Sequence, residues 1–204
     1  MNSSASSRPG RCAQCQRPLA RCLCPLIPSI DAACPVLILQ HHSEARHALN
    51  TARLAYLGLR GTELWVGEQF DELEARLARV HRPVLLFPGP QAKVAGSTGL
   101  EEKPDLIVVP DGTWRKARLI LHSNPVLQTL PYWVLPEGEA SRYRLRKAPD
   151  PQAVSTLEAI VRLMQIMEPE RDFNPLLRPF EHLIEEQIQA MGLETYERNY
   201  PTSK

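Results

Sequence analysis

The 204-residue chain has no long apolar run and little glycine. Its longest unbroken apolar stretches, such as Val36–Leu39 and Val84–Phe87, are far shorter than the about 20 residues of a membrane-spanning helix. The first thirty residues also lack the apolar stretch that a secretory signal needs. These absences predict a cytoplasmic protein that makes no membrane contact. Hydrophobic residues (43%) and charged residues (23%) are close to the averages for globular domains, which excludes a wholly disordered or collagen-like chain.

Composition divides the chain into three parts. Residues 1–10 are small and polar and predict a disordered tail. Residues 11–34 contain all five cysteines and few apolar groups, so they form a separate cysteine-rich segment. Residues 35–204 alternate short apolar runs with stretches of helical period, which predicts an α/β domain with a mainly parallel sheet and flanking helices.

The predicted elements follow from these periods. The expected strands are Val36–Gln40, Glu63–Val66, Val84–Phe87, Leu106–Val109 and Tyr132–Leu135. The expected helices are Ala45–Leu59, Phe70–Val80, one that begins near Asp111, one that begins with the capping box Ser155-Thr-Leu-Glu158, and one that begins at Asn174-Pro175 and ends at Gly192.

Proline is abundant, with 19 residues against 10 glycines. Three strands are expected to stop at Phe87-Pro88, Val109-Pro110 and Leu135-Pro136, because a proline removes a ladder donor. The prolines are either simple strand terminators or markers of the carboxyl edge, where parallel α/β sheets bind ligands.

Four thiols lie within thirteen residues at Cys12, Cys15, Cys22 and Cys24. Tetrahedral zinc takes four such ligands, and arginines nearby would offset the negative charge of the centre. A disulfide pair, redox cysteines and an iron–sulfur cluster are the alternatives. Cys34 stands apart, beside a strand, and is expected in the core.

Asp111 follows a predicted strand and precedes a predicted helix. It is either the N-cap of that helix or a carboxylate at the strand's carboxyl end that accepts a proton from a substrate. Trp114 is either a core anchor or a stacking residue.

Basic residues are clustered although the net charge is only +1. Arg8, Arg11, Arg17 and Arg21 have no acidic neighbour before Asp31. In the stretch 141–147, Arg142, Arg144 and Arg146 alternate with Tyr143 and Leu145, and Lys147 follows. Guanidiniums pair with phosphates and an aromatic ring can stack on a base, so this stretch is either an RNA contact or a solvated basic loop.

Taken together, these motifs make the sequence similar to the DTW-domain family of tRNA-uridine aminocarboxypropyltransferases, over roughly residues 11–185. The resemblance is carried by Asp111-Gly-Thr-Trp114, Ser141-x-Tyr143-Arg-x-Arg146, Ser155-Thr-x-Glu158-Ala159, His41…Glu44…Asn50-Thr51, Phe87-Pro88 and the cysteine cluster.

The resemblance implies a knotted, SPOUT-like core and S-adenosylmethionine as donor. It also implies transfer of the donor's 3-amino-3-carboxypropyl group to N3 of a tRNA uridine, expected in the variable loop. Asp111 is then the expected base, with Arg142 and Arg144 stabilising charge on the uracil oxygens. The metal centre at Cys12, Cys15, Cys22 and Cys24 is expected to be structural.

The expected contacts divide into two sets. The residues expected to bind the donor substrate, S-adenosylmethionine, are Phe87, Pro88, Gly89, Val109, Pro110, Thr113, Leu135, Ser141, Tyr143, Ser155, Thr156 and Glu158. The residues expected to bind tRNA are Arg11, Arg17, Trp114, Arg115, Arg146 and Lys147. Two alternatives stay open: a SPOUT-like RNA methyltransferase, and a non-catalytic zinc-containing RNA-binding module.

Overall fold

The computed structural model describes residues 10–97, 103–138, 141, 143, 145 and 154–200. The predicted tail therefore lies outside the described residues except for Gly10. A six-stranded sheet forms the centre, with every pair of neighbouring strands parallel and the order β2-β1-β5-β3-β6-β4. The strands are β1 Val36–His41, β2 Glu63–Gly67, β3 Pro83–Leu86, β4 Lys93–Val94, β5 Leu106–Asp111 and β6 Tyr132–Val134. The predicted α/β class with a parallel sheet is confirmed.

The helices cover both faces of this sheet. They are α1 Thr51–Gly58, α2 Leu73–Leu77, α3 Trp114–Ser123, α4 Thr156–Met167, α5 Arg178–Met191 and α6 Leu193–Asn199, with 3₁₀ turns at Leu19–Arg21, Cys24–Leu26, Pro125–Thr129 and Asn174–Leu177. Across the described ranges, no helix combines the length and apolar character needed to cross a bilayer.

Side-chain alternation along the strands produces two cores. Val36 and Ile38 of β1 face the core that contains α1, α4 and α5, whereas Leu37 and Leu39 face the core that contains α2 and α3. All four side chains are fully buried. Each buried aliphatic side chain of this size contributes roughly 1.5–3 kcal/mol, which explains why β1 is apolar on successive residues.

Helices α1 and α5 start later than predicted. Helix α1 begins at Thr51, six residues later than expected, because the Asn50 side chain accepts from the Arg53 N–H at 3.0 Å. The expected helix at Asn174-Pro175 is a 3₁₀ turn, and α5 begins at Arg178. The capping box at Ser155 and the helix end at Gly192, which has φ +84°, are confirmed.

One proline prediction is wrong. Pro110 does not end β5 but lies within it and pairs with Leu39 of β1. The pairing of β5 with β3 already stops at Val108, so Pro110 needs no ladder donor on that side. Pro88 and Pro136 do follow their strands, and the parallel order brings the carboxyl ends of β3, β5 and β6 to one edge.

The knotted crossing implied by the resemblance stays a prediction. The segments 98–102 and 146–153, which connect β4 to β5 and β6 to α4, lie outside the described residues.

Candidate active site and metal centre

The carboxyl ends of β1 and β5 are neighbours in the middle of the sheet, but the chain leaves them in opposite directions. From β1 it passes through α1 to β2 at the sheet edge, and from β5 it passes through α3 towards β6. Helices α1 and α3 belong to different cores and so cover opposite faces. Such a reversal of direction opens a crevice at the carboxyl edge, which is where doubly wound sheets bind ligands.

Asp111 ends β5 at this crevice. Its side chain is buried, and Oδ2 accepts from Gln40 Nε2 at 2.8 Å while Oδ1 accepts from the Thr156 hydroxyl. Asp111 does not cap α3; the Thr113 side chain does so by accepting from the Lys116 N–H at 3.4 Å. The helix-cap interpretation of Asp111 is therefore wrong, and its carboxylate is oriented by side chains from β1 and α4.

Two amide side chains that the sequence analysis did not select hold this carboxylate in place. Gln40, fully buried, donates from Nε2 to Asn50 Oδ1 at 2.9 Å as well as to Asp111. Asn50 Nδ2 donates back to Gln40 Oε1 and to the carbonyls of Glu44 and Ala45, each at 3.3 Å. The sequence offered two signals for this pair. One is a glutamine near the end of an otherwise apolar strand, and the other is an asparagine that precedes a helix.

A cleft of about 330 Å³ opens above Asp111. Its volume lies at the lower end of the about 300–1,000 Å³ typical of small-molecule sites. Glu44 and Lys116, which line it, form an ion pair of 2.6 Å. Gly112 has φ +151°, and a Cβ there would lie 3.0 Å from the Cβ of Lys116, so this turn requires glycine. The remaining lining residues are His47, Leu49, Asn50, Thr51, Thr113, Tyr143, Leu145, Ser155 and Thr156.

Glu158 connects the basic stretch to α4. Its carboxylate, almost fully buried, accepts from the Ser141 hydroxyl at 3.0 and 2.8 Å and from the Ser155 N–H at 2.8 Å. The Tyr143 N–H donates to the Ser141 hydroxyl at 3.0 Å, and the Tyr143 ring packs edge-on against Phe180. The structure thus brings Ser141, Ser155 and Glu158 together, bonded to one another. Arg142, Arg144, Arg146 and Lys147 lie outside the described residues.

The other residues predicted to bind the donor are not among those that line the cleft above Asp111. Pro88 and Gly89 line a separate, more open hollow of about 710 Å³ beside Arg118 and Tyr132. Gly89 packs so closely on the Tyr132 ring that a Cβ would lie 2.3 Å from it. Val109 and Pro110 are buried in β5, and Leu135 is half-buried after β6.

Trp114 follows Thr113, a residue that lines the cleft above Asp111. Its ring lies 5.5 Å from that of Phe87 and is 38% exposed, so the interpretation as a core anchor is wrong. Arg115, also selected for RNA, is exposed beside it on α3.

The four clustered cysteines are arranged to hold a metal ion. All four Sγ atoms lie within 4.8 Å of one another, with 3.5 Å between Cys12 and Cys24 and 3.8 Å between Cys15 and Cys22. Tetrahedral zinc with bonds of about 2.3 Å separates its sulfurs by about 3.8 Å, so the distances fit. None of the five cysteines forms a disulfide, and Cys34 is buried away from the cluster as predicted.

Local electrostatics also favour a bound cation. The Cys15 N–H lowers the pKa of Cys12 to about 6, so this thiol is the most readily ionised of the cluster. Burial and the neighbouring Cys12 sulfur raise the pKa of Cys24 to about 12. Since metal ligands are thiolates, a divalent cation would relieve the repulsion that this crowding produces.

The cysteine-rich segment is attached to the α/β domain. Leu23 is 1% exposed, and Arg17 forms an ion pair of 2.7 Å with Glu186 of α5. Arg11, the other arginine selected for RNA here, donates to the Gln16 carbonyl at 2.7 Å.

Comparison with known proteins gives the family context. A family model described as the DTW domain matches residues 10–188. The chain is 29% identical to tRNA-uridine aminocarboxypropyltransferase 2 of Drosophila melanogaster, over 95% of this chain and 81% of that protein. It is 31% and 30% identical to the proteins of the same name in Mus musculus and Macaca fascicularis, over 91% of this chain and 65% of each relative. This chain thus spans less than two thirds of the two mammalian relatives. No solved structure matches.

Proposed function

Because this chain belongs to the DTW domain family, we propose that it transfers the 3-amino-3-carboxypropyl group of S-adenosylmethionine to N3 of a uridine in tRNA. The observation that carries the proposal is the buried Asp111 carboxylate, held by Gln40 and Thr156 at the carboxyl edge of the sheet and facing a cleft. The names of the fly, mouse and macaque relatives support the transfer of an aminocarboxypropyl group to a tRNA uridine.

Asp111 supplies the chemical step that uridine requires. N3 carries a proton at neutral pH and is a poor nucleophile until that proton leaves. Gln40 and Thr156 orient the carboxylate of Asp111 at the cleft. Held in this orientation, Asp111 takes the N3 proton as general base.

Transfer then forms a bond between N3 and the methionine-side methylene carbon and breaks the bond between that carbon and sulfur. The electron pair stays on sulfur, so the sulfonium becomes a neutral thioether and the proton resides on Asp111. Choosing the methylene over the methyl carbon is a matter of positioning, which oriented sites supply by holding the reacting atoms in line. Negative charge on the uracil oxygens is stabilised by Arg142 and Arg144.

N3 lies on the pairing edge of the base, so the uridine enters the cleft unpaired or flipped out. Trp114, which is exposed and follows the cleft residue Thr113, is the candidate stacking partner. The backbone at Phe87, Pro88 and Gly89, with Leu135, is assigned to the adenosine. Zinc is the ion we assign to the four cysteines, where it holds the fold of the segment.

Nucleoside mass spectrometry tests this function directly. Unmodified tRNA is incubated with the protein and S-adenosylmethionine labelled with ¹³C in the methionine chain but not in the methyl group. The proposal predicts a uridine that carries the label, with the mass of the aminocarboxypropyl group. An unlabelled methylated nucleoside would instead identify a methyltransferase. If neither product forms although tRNA binds, the chain is an RNA-binding module.

A further inference from the structure

A second cavity, distinct from the cleft above Asp111, lies between the cysteine-rich segment and the α/β domain. It measures about 430 Å³, and α1 and α5 form its far wall. We call it the arginine pocket, after the basic side chains that line it. These are Arg11, Arg17, Arg21, Arg46, His47 and Arg53.

Positive charge in this pocket is only partly balanced. Among the described residues that line it there is no Asp or Glu, and the anionic groups are the thiolates of Cys12 and Cys15. Four thiolates on one divalent cation would leave two negative charges, against five guanidiniums that line the pocket. Arg17 Nη2 pairs with Glu186 behind the wall, but Arg17 Nη1 is buried with no acceptor among the described residues. A concave surface with several guanidiniums and no lining carboxylate favours an anion, because cations held in a partly desolvated site repel one another.

Arg53 is the central residue of this surface. It projects from α1, and its described hydrogen bond is a long one, from Nη1 to the Gln14 carbonyl at 3.5 Å. Burial lowers the pKa of Arg53 below its usual range, so part of its hydration is already lost. A guanidinium that has already lost part of its hydration gains more binding free energy from an anion than a fully solvated guanidinium does.

The pocket adjoins the cleft above Asp111. His47 and Asn50 line both cavities, because the segment 44–50 forms the wall between them. An anion in the pocket therefore lies beside whatever occupies the cleft. Phe, Tyr and Trp are absent from the described residues that line the pocket, so charge rather than large aromatic rings dominates its lining.

We propose that the arginine pocket binds a backbone phosphate of the tRNA, close along the strand to the uridine that enters the cleft. This inference rests on the proposed function, since it takes the anion from the tRNA substrate. Arg53 and Arg46 of the α/β domain and Arg21 of the cysteine-rich segment contact the phosphate from opposite walls. The cysteine-rich segment then has a direct part in substrate binding.

The test measures tRNA affinity as a function of salt for two variants and a control. Arg53→Gln and Arg46→Gln each remove one guanidinium; Arg46 is exposed, so its variant tests the pocket without a risk to folding. Arg79→Gln is the matched control, because Arg79 is exposed just after α2, which packs in the other core. Each pocket variant is expected to bind tRNA ~10-fold more weakly and to lower the slope of log K against log salt by about 0.7–0.9, the value for one phosphate contact. The control should match the wild type.

A thermodynamic cycle locates the phosphate. Single methylphosphonate replacements, which remove one backbone charge, are placed on either side of the target uridine in a substrate RNA. At one position, the affinity loss caused by the replacement should be smaller in Arg46→Gln than in the wild type, since the variant has already lost one of the guanidiniums that contact this phosphate. Additive losses at every position would overturn the inference.

The outcomes separate this inference from the proposed function. Modification of tRNA by the wild type, with unchanged salt slopes in both pocket variants, overturns the pocket and leaves the function standing. Reduced slopes without any modified nucleoside keep the pocket and reject the function. Inorganic phosphate that binds the pocket in the wild type, with no effect of Arg53 or Arg46 on tRNA affinity, shows a small-anion site and overturns the RNA assignment.

Discussion

Replacing Asp111 by asparagine should abolish most catalysis and also cost stability. The catalytic loss follows from the chemistry, because an amide cannot take the N3 proton at neutral pH. Removal of a general base lowers the chemical step by roughly 10²–10⁴-fold. The stability loss follows from the hydrogen bonds around the carboxylate, because a neutral amide forms weaker bonds than an ionised carboxylate does.

The magnitude can be worked out along that network. An asparagine at 111 can accept from Gln40 Nε2 through its Oδ1 and turn its NH₂ to the Thr156 hydroxyl, which can accept as well as donate. Gln40 cannot turn over, because its Nε2 also donates to Asn50 Oδ1. Asn50 cannot turn over either, since its Oδ1 caps α1 at the Arg53 N–H while its Nδ2 donates to two carbonyls. Both bonds to residue 111 are therefore kept, but each becomes a bond between neutral groups, worth about 0.5–1.5 kcal/mol against about 1.5–3 kcal/mol for a bond to a charged group, so the variant should lose about 2 kcal/mol of stability.

Single-turnover transfer and urea unfolding measure the two effects separately. Thr156→Val is the matched control, because it removes the other bond to the carboxylate and keeps the base. It should lose a comparable amount of stability but retain far more transfer at saturating tRNA and donor than Asp111→Asn. Near-normal transfer by Asp111→Asn would refute the role of Asp111 as base. Unchanged stability would refute the assigned network.

Three further changes test other parts of the molecule. Cys24→Ser should release most of a zinc content near one per chain by elemental analysis; a metal-free wild type with four freely titratable thiols would contradict the site. Glu158→Gln removes one of the acceptor oxygens that hold Ser141 and Ser155, so urea unfolding should show a loss of about 1–3 kcal/mol, against about 1 kcal/mol for the cap variant Ser155→Ala. Burial raises the pKa of Cys34 from 9.0 to about 12, so the unfolded chain releases this proton first and stability should fall as pH rises from about 9 towards about 12. Over this pH range, the urea midpoint should drop less in Cys34→Ala than in the wild type. Equal drops in the two proteins would show that Cys34 does not contribute to the pH dependence of stability.

The strands were predictable because they are buried on both faces. All five predicted strands match observed ones within two residues at each end, since runs such as Val36–Leu39 exclude an amphipathic alternative. The two-residue β4, Lys93–Val94, is exposed and carries no such pattern, so it was missed. Helix α6 was missed for a similar reason, because none of its residues is buried.

Helix starts were less predictable because apolar periodicity does not locate a cap. Leu49 fits the period of α1, yet the Asn50 side chain starts the helix after it. At the end of β5, two residues that lie two positions apart could each cap the following helix, α3. Asp111 and Thr113 are both good caps, and only the register with Gln40 of β1 shows that Asp111 still belongs to the strand.

The candidate site was predictable as a set of residues but not as an arrangement. Asp111, Thr156, Ser155 and Tyr143 come from three distant parts of the chain and line one cleft. Their meeting depends on the strand order, since β5 lies between β1 and β3 although β3 precedes it in sequence. Long-range order of this kind leaves no local signal, and for that reason Gln40 and Asn50 were not selected.

The position of the cysteine-rich segment gives the metal centre a second consequence. Arg17 and Arg21 both lie between the ligands Cys15 and Cys22, and Leu23, which separates Cys22 from Cys24, is buried in the same core as α1 and α5. A metal ion that fixes Cys15, Cys22 and Cys24 therefore also fixes the backbone that presents these arginines to the pocket. Loss of the metal should therefore displace these arginines and weaken tRNA binding, whereas the α/β domain should largely keep its fold. Asp111 lies on the other side of the segment 44–50 from the pocket.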